Sequence, residues 1–76
     1  MKQILEYIIS LIIQKPEDLK VTETQIDDLN IQYIITANKD DVGKIIGKQG
    51  KIIQAIRNIA IIWAIKNNKQ IRIDVG

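Results

Sequence analysis

Gly47-Lys48-Gln49-Gly50 is the stretch of this chain whose residue types and spacing could do chemistry, and that chemistry is the capture of a phosphate backbone. Two glycines three apart permit positive φ in a tight turn. They also remove the Cβ atoms that would hold a sugar-phosphate chain away from the main chain. Lys48 lies between them, with Lys44 before and Lys51 after, so three ammonium groups could neutralise phosphates, and Gln49 adds an amide. A helix opening at Lys51 would contribute N-terminal N–H groups and a dipole that favours an anion. Such a loop holds a backbone without reading bases. Base contacts would fall to the adjoining side chains Ile46, Ile53 and Ile71 to Ile73, with Arg57 among the candidate binding residues.

Other chemistries find little material. The chain has no cysteine and no histidine, which removes the commonest zinc ligands, the commonest general base and the thiol nucleophile together. Its carboxylates are scattered, so the reading is of a protein that is not an enzyme and needs no metal or cofactor. A mononucleotide-binding P-loop requires four residues between its glycines followed by Lys-Ser/Thr. Here Gly43 and Gly47 are separated by three, and Gln49 stands where the magnesium-binding hydroxyl belongs. The dinucleotide pattern Gly-x-Gly-x-x-Gly after a strand is missing as well.

Length and charge agree with a small binding module. Seventy-six residues make one domain, 1–76, and a fold this short buries only roughly 60% of the surface its unfolded chain exposes. Residues 1–38 carry three lysines against six acids, net −3, whereas residues 39–76 carry eight bases against three acids, net +5. Positive charge therefore gathers around the glycine loop, as in proteins that bind polyanions. The apolar run Ile8–Ile13 follows Lys2, but Glu6 interrupts the segment between them, and the run is far shorter than the roughly 20 residues of a membrane span. No targeting signal or membrane anchor is expected, and the lack of cysteine suits a reducing cytoplasm.

The elements that must position the loop follow from periodicity. Ile4, Leu5, Ile8, Leu11 and Ile12 recur at helical spacing and predict a helix over Lys2–Gln14, stopped by Pro16. Alternating β-branched residues predict strands at Leu19–Thr24 and Asn30–Ala37, joined as a hairpin through Gln25–Leu29. Asn38 reads as an N-cap, with the Asp41 carboxylate facing the dipole of a short helix that ends near Ile46. A long helix over Lys51–Lys66, a loop at Asn67–Lys69 and a strand at Ile71–Val75 complete the order α-β-β-α-α-β.

On the long helix, Ile52, Ile56, Ile59, Ala60 and Trp63 share one face, assigned here to the sheet. Ile61, Ala64 and Ile65 fall opposite and form a candidate dimer surface. Tyr7, Tyr33 and Trp63 are too few and too scattered for a base-stacking platform, and are assigned to the core.

The run Ile45-Ile46-Gly47-Lys48-Gln49-Gly50-Lys51-Ile52-Ile53 resembles the signature of KH domains, in which a Gly-x-x-Gly loop clamps the backbone of about four nucleotides. The element order is similar to the bacterial type II arrangement. The whole chain resembles the stand-alone bacterial KhpA family, whose core is matched by Asp41 through Lys51, with Gly43–Lys51 as the specific part. That resemblance implies an α+β fold, a three-stranded sheet with three helices packed on one face. It also implies binding of single-stranded RNA and an RNA-chaperone role, as a homodimer or a heterodimer with a larger KH-containing protein, linked to cell-wall homeostasis and cell shape. Ile61, Ile62, Trp63 and Ile65 make the long helix more apolar than the family pattern, which keeps a rival reading open: a protein-interaction module whose loop adds little RNA affinity.

Overall fold

The computed structural model describes residues 1–76 and shows six main elements in the expected order. These are α1 (Lys2–Ser10), β1 (Lys20–Gln25), β2 (Asn30–Thr36), α2 (Lys39–Ile46), α3 (Lys51–Lys66) and β3 (Gln70–Val75). Single 3₁₀ turns at Pro16–Asp18 and Lys48–Gly50 punctuate the connections.

The strands form one sheet in the order β1-β2-β3. β1 and β2 pair antiparallel with Val21 opposite Ile35, while β2 and β3 pair parallel with Tyr33 opposite Ile73. The hairpin loop is held by Asp27, whose carboxylate accepts the backbone N–H groups of Leu29 and Asn30 at 2.8 and 2.9 Å. These bonds, the Leu29 amide first, hold its carboxyl below the usual carboxylate range. A parallel pair needs a long crossover, and the two helices α2 and α3 provide it.

Because side chains alternate across a strand, one sheet face carries Val21, Tyr33, Ile35 and Ile73, all buried, and the other carries Thr22, Thr24, Gln32 and Arg72. All three helices bury their apolar stripes against the first face: Leu5 and Ile9 from α1, Ile45 from α2, and Ile53, Ile56 and Ala60 from α3. This is the expected α+β arrangement. Tyr33 is 1% exposed and donates its hydroxyl to Glu23 at 2.7 Å; burial first, then that carboxylate, pushes its phenol well above its ordinary value.

Three expectations need correction. α1 closes at Ser10 rather than Gln14: Leu11 and Ile12 tighten to i→i−3 bonds with Ile8 and Ile9, and the Gln14 and Lys15 amides leave the helix for the Asp41 carboxylate. The buried stripe of α3 is Ile53, Ile56, Ala60 and Ala64, turned by roughly 60° from the one expected. Ile52 lies toward the loop, where it occupies the space a Cβ on Gly47 would need, and the small Ala60 and Ala64 take buried positions on α3. Ala64 is thus buried and cannot belong to an outward-facing dimer surface. Finally, Tyr7 is 67% exposed on α1, so it is not a core residue.

Candidate nucleic-acid interface

The loop between α2 and α3 is built by a cap at each end. The Asn38 side chain accepts the Asp40 N–H at 2.9 Å and opens α2. Asp41, assigned by its position to the same helix dipole, turns away instead. Its 1% exposed carboxylate accepts the N–H groups of Gln14 and Lys15 at 3.0 and 2.9 Å, with the Lys44 ammonium 3.6 Å away. The Gln14 amide, and then the Lys15 amide and Lys44, hold the Asp41 carboxyl below its usual range despite burial. The α1–β1 connection is thereby tied to the helix that carries the loop.

At the far end of α2, Gly47 stands at φ 77°, ψ 173°, and its N–H closes the helix on the Gly43 carbonyl at 2.8 Å. That combination of φ and ψ is essentially closed to residues with a side chain. A Cβ there would also lie 2.6 Å from Ile52. Gln49 (φ 58°, ψ 25°) and Gly50 (φ 75°, ψ 15°) follow in the left-handed region, and a Cβ at Gly50 would meet open space. The two glycines therefore differ: Gly47 is demanded by the fold, Gly50 mainly by local conformation.

Lys48, Gln49 and Lys51 are exposed, and neither Lys48 nor Lys51 forms an ion pair. Lys44 is held against Asp41, so its charge is partly compensated. The Gly50 and Lys51 N–H groups turn back onto the Gly47 and Lys48 carbonyls, which leaves fewer free amides than the sequence implied. The free positive charge of the loop rests on Lys48 and Lys51.

Along α3 lies a groove of about 300 Å³ against the free edge of β3, lined by Arg57, Ala60, Ile61, Ile71, Arg72, Ile73 and Asp74. Gln70 and Gly76 donate their N–H groups to Leu29 and Ile35 of the β2 side, so the odd-numbered residues of β3 turn their polar groups outward. Arg57 meets one of these: Nε and Nη2 donate to the Ile73 carbonyl at 3.3 and 3.0 Å. Asp74 forms an ion pair with Arg72, Nε lying 3.2 Å from its carboxylate, and accepts a hydrogen bond from Gln32 Nε2 at 3.0 Å.

Of the residues singled out for base contact, Ile46 is 38% exposed beside the loop, and Arg57 and Ile71 border the groove. Ile53 is 6% exposed and belongs to the core, because it opens the buried α3 stripe. Ile61, assigned to a dimer surface, borders the same groove as Arg57, its neighbour one turn earlier. Their i, i+4 spacing was a visible signal; the pairing of Arg57 with β3 had none.

The family model described as KhpA/KhpB, KH domain, matches residues 2–75. Among curated proteins, the RNA-binding protein KhpA of Chlamydia pneumoniae is 37% identical over 75 residues, which cover 99% of this chain and 95% of that protein. The proteins of the same name from Oceanobacillus iheyensis and Clostridium perfringens are 35% and 37% identical, with 99% of each chain covered in both cases. No solved structure matches the chain significantly.

Proposed function

Because the chain belongs to the KhpA/KhpB family of KH domains, we propose that it binds single-stranded RNA, with the strand's phosphates at Lys48 and Lys51 and its bases directed toward the groove between α3 and β3. The observation that carries this reading is the exposed turn in which two unpaired ammonium groups flank a backbone with three positive φ angles. The ammonium groups supply affinity without sequence preference. Arg57, Ile46 and Ile71 stand where bases would lie.

The experiment is a salt titration of binding with Lys48→Gln, Lys51→Gln. Each phosphate contact on a single strand contributes about 0.7 to the slope of log affinity against log salt, so the double variant should lose about 1.4 and bind roughly tenfold more weakly at low salt. Its melting temperature should not move, since both side chains are exposed. An unchanged slope and affinity would reject the site.

The finer reading carried by the family resemblance is an RNA chaperone of the cytoplasm, acting as a homodimer or with a larger KH-containing protein, with a role in cell-wall homeostasis and cell shape. Association is favoured by the apolar residues left open on α3, Ile61, Ile62 and Ile65, at 47%, 69% and 72% exposure. Ile61→Asp, Ile65→Asp should halve the sedimenting mass while preserving the fold; an unaltered mass removes this face from the assembly. No helix is long and apolar enough to cross a membrane.

A further inference from the structure

Ile61 belongs to two surfaces at once, and we infer that RNA and a second copy of this chain exclude each other there, so that single-stranded RNA drives the assembly apart. The inference rests on the RNA-binding and association readings above. Ile61 lines the groove between α3 and β3 together with Arg57, Ile71 and Ile73. It also begins the apolar face that continues at Ile65, one turn further along α3 and outside the groove. A base lying against Ile61 and a partner helix packed on it claim the same exposed atoms.

The face around Ile61 suits a second copy. At helical spacing its neighbours are Gln54, Asn58 and Ile65, none of them charged, and the Gln54 amide donates to Asn58 at 3.2 Å. Arg57, the one cation within a turn of Ile61, is turned onto the Ile73 carbonyl. A neutral apolar patch meets its own image without like-charge repulsion, as a two-fold interface requires. The groove makes the opposite demand. Its other wall is the free edge of β3, and bases reach that edge only while the Ile61 side stays open. A partner helix seated on Ile61 at the usual interaxial distance of about 8 to 10 Å covers the α3 wall. Each visitor then weakens the other by the same factor.

The test combines sedimentation velocity with fluorescence anisotropy of a short, labelled, mixed-sequence single-stranded RNA. Saturating RNA should convert the wild-type dimer into a complex of one protein chain with one RNA. Ile65→Asp touches the association face but not the groove, and should keep the wild-type melting temperature because Ile65 is 72% exposed. At protein concentrations where about a tenth of wild type is monomeric, this variant should bind RNA about tenfold more tightly than wild type; in dilute protein the two should match. RNA that leaves the dimer mass intact overturns the proposal, and so does an Ile65→Asp variant that gains no affinity in concentrated protein. The failures are distinguishable. A wild type that sediments as a monomer at every concentration removes the association, and the competition with it, while RNA binding stands; wild type and Ile65→Asp that both lack salt-sensitive binding remove the RNA reading itself.

Discussion

Gly47→Ala should unfold most of the population at moderate temperature, whereas Gly50→Ala, three residues away, should leave a folded protein. At Gly47 the added methyl must occupy a φ, ψ region that residues with side chains scarcely enter, and it overlaps Ile52 at 2.6 to 2.9 Å. Strain and overlap together cost about 3 kcal/mol or more. A domain of this size rarely holds more than about 5 kcal/mol in reserve. At Gly50 the backbone is left-handed but the space is open, so alanine costs about 1 kcal/mol. Urea titrations followed by circular dichroism check the contrast, and equal midpoints for the two variants would refute it. Adding Ile52→Ala to Gly47→Ala removes the overlap but not the backbone strain, so recovery should be partial, with a coupling of about 1 kcal/mol. A consequence for function follows: substitutions at Gly47 test folding before they test binding, and the loop is better probed through Lys48 and Lys51.

Asp41→Asn is expected to lower the melting temperature by on the order of 10 °C. The carboxylate accepts two backbone N–H groups from the end of the α1 segment while 1% exposed, and an amide in its place can accept one of them but must turn its own donor toward the other. The effect is pH-dependent with a definite sign. The folded Asp41 carboxyl titrates below its unfolded value, so its stabilisation is fully present above the ordinary aspartate pKa near 3.9. It disappears as pH falls through the lower folded value, because protonation then removes the charged acceptor. Wild type and Asp41→Asn should differ most at neutral pH and converge in acid. Asp27 contributes an acid limb of the same sign from the hairpin, present in both proteins, so the difference between the two curves isolates Asp41. Curves that stay parallel from pH 7 to pH 3 would show that the charge does not matter. Asp41→Asn should also weaken RNA binding, since Lys44 and the origin of α2 lose their anchor.

Much of the site could be read in advance because its signals are local. Asn38 caps the helix that follows it, and Gly47 and Gly50 break the chain at the positions their backbone freedom marks. The long helix begins at Lys51 and ends at Lys66, as its composition indicates. Parts of the site that depend on distant residues were not legible. Asp41 looks like a first-turn acid, and only its contact with Gln14 and Lys15, some 26 positions earlier, reveals a clamp. The orientation of α3 differs from the helical-spacing expectation for the same reason. Helical spacing offers several overlapping apolar faces in so isoleucine-rich a segment, and the choice among them is made by Ile52 covering Gly47 while Ala60 and Ala64 turn inward.

What the amino-acid order determined by itself is the succession of elements, the glycine turn, and the gathering of positive charge around it, because turns, caps and periodicity are decided over a few neighbouring residues. What only the tertiary structure decided is which lysines are free, which of the two glycines the fold cannot lose, and that Arg57 and Ile61 share a groove with the edge of β3. Those outcomes are set by segments far apart in sequence meeting across one small core, where a single carboxylate or methyl group changes what its neighbours can do.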